Sequence, residues 1–228
     1  MNSMAYAHTL SGKVSDSFKG RKAVIVTEDS ADHTVVKLLK TEIGLKIIKT
    51  TPKSNVSDMF SSVKLPVQYR SREKLKQLAQ NAMEETNSSI GIATSIYNGK
   101  NSVTPFLDIH AESLVFLDDK LNLELFERSN TGQPASKSGN SEKKGGKEFQ
   151  NLFKRLAFRL KQVCPECSMP GWGITFEIQG LKCSECRFAT KEVQSHIWSC
   201  TVCRHSEEIK RSDGLTYADP KHCYSCSH

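Results

Sequence analysis

The first half of the chain alternates short apolar runs with amphipathic segments. Residues 23–27 form an apolar, β-branched run, residues 31–43 repeat apolar positions at helical spacing, and residues 45–50 resume a strand pattern. Gly44 stands where this helix should end. The order predicts one βαβ unit, for which parallel strands joined by a right-handed crossover are the usual arrangement.

A second helix and three further strands follow. Residues 71–86 carry an apolar stripe that predicts a helix, and residues 90–94 predict the next strand. Residues 113–117 and 121–126 alternate apolar and polar positions around a short polar turn, which indicates a hairpin. The predicted fold class for residues 20–128 is therefore α/β, with α+β as the alternative.

A change in composition marks the end of this domain. Residues 129–147 are rich in Gly, Ser, Asn and Lys and contain no large apolar residue, which predicts a flexible linker. Residues 148–163 return to helical spacing and predict a helix that leads directly into the cysteine-rich tail. Its polar face is basic, and we favour helix packing over phosphate binding as its role. The basic positions are Lys154, Arg155, Arg159 and Lys161.

All eight cysteines of the chain fall in residues 164–228, where they form four Cys-x-x-Cys pairs. The first and second pairs are separated by 15 residues and the third and fourth by 19, a spacing typical of zinc-binding modules. Four thiolates complete the tetrahedral shell of one zinc ion, so the sequence predicts two structural zinc ions. The predicted ligands are Cys164, Cys167, Cys183, Cys186, Cys200, Cys203, Cys223 and Cys226.

The spacing leaves the grouping of the pairs open. Sequential grouping, first with second and third with fourth, makes tandem zinc ribbons over residues 164–228. An interleaved cross-brace, first with third and second with fourth, uses the same cysteines. His205 and His222 lie beside the pairs, but the full set of cysteines indicates that they are not metal ligands.

Disulfides are the main alternative chemistry for eight cysteines. The first 22 residues are polar and lack the apolar segment of a secretory signal, so we expect a reducing compartment, the cytoplasm, where thiolates bind metal. Iron–sulfur clusters and redox-active pairs are the remaining thiolate alternatives. No run of 18 apolar residues predicts a membrane span.

Charge permits two kinds of partner. The net charge is +7, and residues 131–228 hold 15 Lys and Arg against 10 Asp and Glu. A nucleic acid or a protein could bind a basic tail of this kind. For nucleic acid, bases would stack on Trp172, Phe176, Phe188, Trp198 and Tyr224, and phosphates would contact Lys182, Arg187, Lys191, Arg204, Lys210 and Arg211.

The tail also resembles a known family. The matching positions are the four cysteine pairs together with Pro170-Gly171-Trp172-Gly173, Gly180-Leu181-Lys182, Asp213-Gly214 and Ala218-Asp219-Pro220. They resemble the C-terminal end of a mainly bacterial family of uncharacterised proteins that has an N-terminal α/β region and a double Cys-x-x-Cys tail. The resemblance is dense over residues 155–228 and weaker upstream. It implies that this chain is a divergent, internally shortened member.

Departures from the family concern the polar N-terminal motifs. After the first strand the family has a Thr-x-His-x-Lys-Glu-like motif, whereas this chain keeps Thr27 and lacks the His and Lys. An enzymatic alternative would place a small-molecule or phosphate site at this strand end, with Thr27, Asp29 and Asp32 as catalytic candidates. Loss of the motif favours a non-catalytic chain whose activity is unknown.

Overall fold

The computed structural model of the chain describes residues 17–27, 33–50, 67–100, 107–134 and 142–227, with the backbone alone at 67–71, 97–100, 107–110, 130–134 and 142–148. The chain divides into two compact units, Met1–Val163 and Cys164–His228. None of the helices in the described ranges combines the length and the apolar character needed to cross a membrane.

The N-terminal unit is built on a five-stranded sheet with the strand order β2-β1-β3-β4-β5. Strand β1 is parallel to β2 and β3, while β4 is antiparallel to β3 and β5. The predicted α/β class and the parallel βαβ pairing are confirmed. The strands are β1 (Lys22–Val26), β2 (Lys46–Thr50), β3 (Ile90–Lys100), β4 (Leu107–Asp118) and β5 (Leu123–Pro134).

Three helices accompany this sheet. Helix α1 (His33–Leu38) continues as a π-helical turn, Leu39–Ile43, whereas α2 (Val67–Thr86) and α3 (Glu142–Lys161) are regular. Gly44 ends the first of them with φ at 79°, a left-handed conformation that favours glycine. Its N–H donates to the Lys40 carbonyl, and the Leu45 N–H donates to the Leu39 carbonyl. The predicted stop at Gly44 is confirmed.

Helix α2 packs closely on one face of the sheet. Its apolar residues join alternate residues of β1, β3 and β4 in one buried cluster. A Cβ atom at Gly91 of β3 would lie 2.6 Å from Met83 Sδ and 2.9 Å from the Ala79 carbonyl oxygen. Glycine therefore allows the helix to approach the strand. The cluster comprises Val24, Val26, Leu75, Ala79, Ala82, Met83, Ala93, Val115 and Leu117.

Helix α3 contacts the opposite face of the sheet, where side-chain ion pairs as well as apolar packing hold it in place. Glu127 of β5 lies in register with Leu114, on the face away from the α2 cluster. Arg159 donates to Glu127 at 2.8 Å with both side chains buried, and Arg155 donates to the same carboxylate at 3.2 Å. Lys161 pairs with Glu42 at 2.6 Å. Three of the four basic side chains thus serve packing within this unit, as favoured above.

The elements around the predicted linker extend further than the apolar pattern indicated. Strand β5 runs to Pro134 in continuous register with β4, and α3 begins at Glu142. Backbone pairing needs no apolar side chains, so a polar segment can continue a ladder. Of the predicted linker 129–147, residues 135–141 remain between these elements and lie outside the described residues. Helix α3 also starts six residues before the predicted 148 and ends at Lys161.

The C-terminal unit is smaller and contains a three-stranded antiparallel sheet in the order β6-β7-β8. A 3₁₀ turn at Pro220–His222 is capped by the Asp219 carboxylate, which accepts the Lys221 N–H. The strands are β6 (Gly173–Gln179), β7 (Val193–Ser199) and β8 (Ser206–Lys210).

Candidate metal centres

The four Cys-x-x-Cys turns share one backbone design, and we call each such turn a knuckle. In every knuckle the carbonyl of the first cysteine accepts the N–H four residues later, at 2.9 to 3.2 Å. In the first three, the N–H of the first cysteine donates to the carbonyl five residues later, at 2.9 Å. The residue after the second cysteine has a left-handed φ of 56° to 65° in these three, at Ser168, Arg187 and Arg204. The turn therefore closes by its own hydrogen bonds.

Backbone N–H groups point at the sulfurs. The N–H groups of Met169, Phe188 and His205 donate to the second cysteine of their own knuckle. The hydrogen bond from His205 lowers the pKa of the Cys203 thiol to about 7, whereas burial raises the pKa of Cys167 to about 12. Thiols this close together do not all ionise unless a cation compensates their charge, which is the situation a metal ion creates.

The knuckles converge in two groups of four. The first centre comprises Cys164, Cys167, Cys200 and Cys203, and the second comprises Cys183, Cys186, Cys223 and Cys226. Within each group the four Sγ atoms all lie within 4.8 Å of one another. All eight cysteines are free thiols, and no other residue type joins these two groups in the described part of the chain. Each group could hold a metal ion.

The sulfur separations fit a tetrahedral ion. Cys164 Sγ and Cys203 Sγ lie 3.6 Å apart, and Cys167 and Cys200 lie 3.7 Å apart. In the second centre the Cys183–Cys226 distance is 3.9 Å and the Cys186–Cys223 distance is 3.4 Å. A tetrahedron with metal–sulfur bonds of about 2.3 Å has edges of about 3.8 Å. A disulfide would require about 2.05 Å.

This grouping is the interleaved one, and the sequential tandem-ribbon arrangement is wrong. Strands β6 and β7 are antiparallel, with Gly173 opposite Ser199 and Gln179 opposite Val193. The first knuckle precedes β6 and the third follows β7, so both lie at one end of the sheet. The second knuckle follows β6 at the other end, about 20 Å away along a seven-residue strand. Antiparallel pairing therefore excludes the sequential grouping.

Aromatic residues surround the first centre. Cys164, Cys200 and Trp172 form a buried cluster, against which Trp198 and Val202 pack. The Trp172 ring stacks on the His205 ring at 5.5 Å and lies 6.2 Å from the Trp198 ring. The side chains of both tryptophans thus take part in packing at the first centre.

The second centre is bordered by more exposed side chains. Phe188 is 66% exposed and Tyr224 is 84% exposed, although both lie on its knuckles. The Arg187 guanidinium lies 4.2 Å from the centre of the Tyr217 ring. Next to that tyrosine, Ala218 bonds to both neighbours of Cys183: its N–H donates to the Lys182 carbonyl at 2.8 Å and its carbonyl accepts the Ser184 N–H at 3.0 Å.

The histidines near the knuckles bond to carboxylates instead of joining either sulfur group. His205 Nε2 lies 2.7 Å from Glu207, and this hydrogen bond raises the pKa of His205. His222 Nδ1 lies 2.9 Å from Glu192. Both arrangements agree with the expectation that four cysteines complete each centre.

The structure describes one of the three catalytic candidates of the N-terminal unit. Thr27 is buried at the end of β1, while Asp29 and Asp32 lie outside the described residues. A polar cavity of about 490 Å³ lies instead at the other end of β1. Sequence reasoning missed this cavity because its lining comes from three separate turns. It is lined by Arg21, Lys22, Asn87, Ser88, Ser89, Asp119 and Lys120.

Comparison with protein families supports the resemblance of the tail. A family model, DUF6671, described as a domain of unknown function, matches residues 146–228. This range includes both centres and agrees with the expected similarity to an uncharacterised family. No curated protein matches the chain.

Three solved structures show distant similarity to the chain. Competence damage-inducible protein A from Klebsiella pneumoniae has 12% identity and a TM-score of 0.40, covering 67% of this chain and 96% of its own. A competence-damaged protein superfamily member from Enterobacter cloacae has 12% identity and a TM-score of 0.37, covering 67% and 89%. Hypothetical protein CT253 from Chlamydia trachomatis has 16% identity and a TM-score of 0.29, covering 63% and 96%. These TM-scores are too low to carry a conclusion.

Proposed function

We propose that the chain is a zinc protein in which two structural zinc ions organise a C-terminal interaction module. The observation that carries this proposal is the pair of four-sulfur groups, each with all Sγ atoms within 4.8 Å. Tetrahedral sites of four thiolates are typical of zinc. The knuckle N–H groups that point at sulfur supply the hydrogen bonds that stabilise bound thiolates.

The same geometry weighs against the other thiolate chemistries. The closest sulfur pairs are 3.4 to 3.9 Å apart, far beyond disulfide length. Four sulfurs at these separations enclose a single ion, since a cluster of several metal and sulfide ions needs a wider space. A mononuclear zinc site in a reducing compartment such as the cytoplasm agrees with free thiols.

The ions have a structural role in this proposal. Four protein thiolates leave no position open for water or substrate, which a catalytic zinc ion requires. A unit of 65 residues with a three-stranded sheet has a small core, so metal binding supplies much of its folding free energy. Removal of the metal should therefore unfold the C-terminal unit.

A protein partner is favoured over nucleic acid by the distribution of charge. Residues 131–163 hold eight Lys and Arg against two Asp and Glu, whereas residues 164–228 hold seven against eight. The basic excess therefore precedes the cysteine-rich unit, whose formal charge is −1 before the centres are counted. Each zinc ion with four thiolates adds −2. Nucleic-acid binding depends on an excess of cationic side chains. The basic excess of residues 131–228 does not extend to the cysteine-rich unit, residues 164–228.

Exposed aromatic side chains support the interaction role. Phe176, Phe188 and Tyr224 are each at least 65% exposed, and the last two stand on knuckles that the metal centres hold. Aromatic side chains on a rigid backbone bind partner proteins with a small entropy cost. The zinc ions would thus act by holding these side chains in place.

Metal analysis of the purified full-length chain tests the proposal. We expect two zinc ions per chain by inductively coupled plasma mass spectrometry. We also expect the cobalt-substituted chain to show the absorption of tetrahedral cobalt bound to four thiolates. One ion or none per chain, or iron with acid-labile sulfide, would contradict it. Titration of the chain with single-stranded DNA at low salt tests the alternative that the partner is a nucleic acid. We expect no binding in this titration.

A further inference from the structure

The polar cavity at the start of β1 is enclosed by three turns of the N-terminal unit. Arg21 and Lys22 come from the entry to β1. Residues 87–89 come from the connection between α2 and β3, and Asp119 and Lys120 come from the turn between β4 and β5. Every lining residue is polar or charged. Such a lining favours a charged, hydrogen-bonding ligand over an apolar one.

Hydrogen bonds tie these three turns together. Arg21 donates to both carboxylate oxygens of Asp118 at 2.7 Å and to Ser89 Oγ at 3.0 Å. The Asp118 side chain is fully buried, and the Asp119 N–H donates to the Ser89 carbonyl at 3.1 Å. The wall of the cavity is therefore held in place before any ligand arrives, which lowers the entropy cost of binding.

The end of α2 adds to this wall. The Ser88 N–H donates to the Met83 carbonyl at 2.9 Å, and the Asn87 N–H donates to the Glu84 carbonyl at 3.3 Å. Asn87 has a left-handed φ of 48°, so the helix ends in a Schellman motif. Carbonyls that accept these hydrogen bonds present less negative charge to the cavity than free carbonyls at a helix C-terminus.

The charges that remain at the cavity favour an anion. Lys22, Asp119 and Lys120 are exposed, and none of their side chains has an ion pair with another described residue. Since Asp118 neutralises Arg21, two unpaired cations stand against one unpaired carboxylate. Arg21 Nε is also buried and has no hydrogen-bond acceptor among the described residues. A buried N–H without an acceptor favours negative charge nearby.

We infer that this cavity binds a small molecule that carries a phosphate group. Lys22 and Lys120 bind the phosphate oxygens, because a phosphate monoester carries close to two negative charges at neutral pH. The cavity volume of about 490 Å³ lies in the range of small-molecule sites and leaves room for more than a phosphate. Asn87 and Asp119 bind hydroxyl groups of the remainder. The site belongs to the N-terminal unit and is independent of the proposed zinc function.

The test is an NMR titration of the full-length chain, as purified, with glycerol 3-phosphate at low ionic strength. We expect the backbone amides of Ser89, Asp119 and Lys120 to shift in a saturable way. Glycerol is the neutral control and should cause no such shift. Inorganic phosphate separates the two sources of the anion, and it should bind more weakly than the ester because it has no hydroxyl groups to reach Asn87 and Asp119.

Matched variants assign the binding to the cavity. Lys22→Met and Lys120→Met should each weaken the binding of glycerol 3-phosphate by about 3- to 10-fold, since each removes one charge-assisted contact. Lys154→Met removes an exposed lysine of α3 outside the cavity, and the affinity should stay within about twofold. Asp119→Asn should tighten the binding of inorganic phosphate, because it removes a negative charge near the anion.

Three results would overturn the inference. One is a titration in which glycerol 3-phosphate causes no saturable shift of the three amides. Another is equal weakening by Lys154→Met and by the two cavity variants, which would indicate binding to general surface charge. The third is tighter binding of inorganic phosphate than of glycerol 3-phosphate, which would assign the site to the free ion.

Discussion

Cys164 Sγ lies 3.6 Å from Cys203 Sγ, although 39 residues separate the two cysteines. Four cysteines and two strands intervene between them in the sequence. Their meeting follows from the antiparallel pairing of β6 and β7, which returns the chain to the end of the sheet where it began. The metal centres are therefore a consequence of sheet topology as much as of cysteine spacing.

The buried pair of Arg159 and Glu127 is predicted to anchor α3. Arg159→Ala should destabilise the N-terminal unit by about 3 kcal/mol, because it leaves a buried carboxylate with only the partly exposed Arg155. Urea unfolding of the zinc-loaded chain, followed by far-UV circular dichroism, measures this change. Lys154→Ala on the exposed side of the helix is the control, with an expected change within about 0.5 kcal/mol.

A double variant separates charge from packing at this position. Arg159→Met with Glu127→Leu removes both buried charges and should recover most of the lost stability. Equal stability of the wild type and Arg159→Ala would show that the ion pair does not hold the helix.

Gly91→Ala should destabilise the N-terminal unit strongly, although it adds only one methyl group. The added methyl carbon would lie 2.9 Å from the Ala79 carbonyl oxygen, a backbone atom that cannot rotate away. Helix α2 must shift outward, at a cost of about 1–3 kcal/mol. The midpoint of urea unfolding measures the effect, and Lys46→Ala at an exposed strand position serves as control. A midpoint equal to that of wild type would contradict the close approach.

Glu124 is predicted to titrate below its ordinary range. Burial alone would raise the pKa of Glu124, but hydrogen bonds and charges from Lys76 and Arg72 outweigh burial and lower it. Since the folded-state pKa is depressed, the stabilisation is complete above the unfolded-state pKa and is lost as pH falls through the folded-state value. Carboxyl NMR titration measures the folded-state pKa directly.

The variants Arg72→Ala and Lys76→Ala should each raise the pKa of Glu124 towards its ordinary value. Lys76→Ala also removes a 2.8 Å ion pair, with a loss of less than about 1 kcal/mol because the pair is partly exposed. A pKa for Glu124 that does not respond to either variant would refute the assigned cause.

Much of the N-terminal fold follows from local pattern. The apolar run of β1 and the helical spacing before Gly44 place both elements within a few residues of their observed bounds. The sequence pattern did not predict where β5 ends. Residues 129–134 pair with β4 through their backbone, and this stretch lacks the apolar alternation from which a strand is predicted. The ion pairs of α3 were also beyond sequence, since Glu127 and Glu42 come from distant elements.

The metal centres were predictable in composition but not in connection. The spacing of the cysteines identified all eight thiols that the structure gathers, since two Cys-x-x-Cys turns per ion is a local chemical requirement. The grouping depends on which strand ends meet, and this is decided by the register of β6 with β7. Gly173 opposite Ser199 is a long-range relationship that spacing along the chain does not encode.

The most direct measurement for the account as a whole is the zinc content of two double variants of the full chain. Cys164→Ser with Cys200→Ser removes two ligands of the first centre only, and one zinc ion per chain should remain. Cys164→Ser with Cys183→Ser removes one ligand from each centre, so both ions should be weakly held and lost on dialysis. The opposite pattern, with one ion retained in the second variant and lost affinity at both sites in the first, would contradict the interleaved centres.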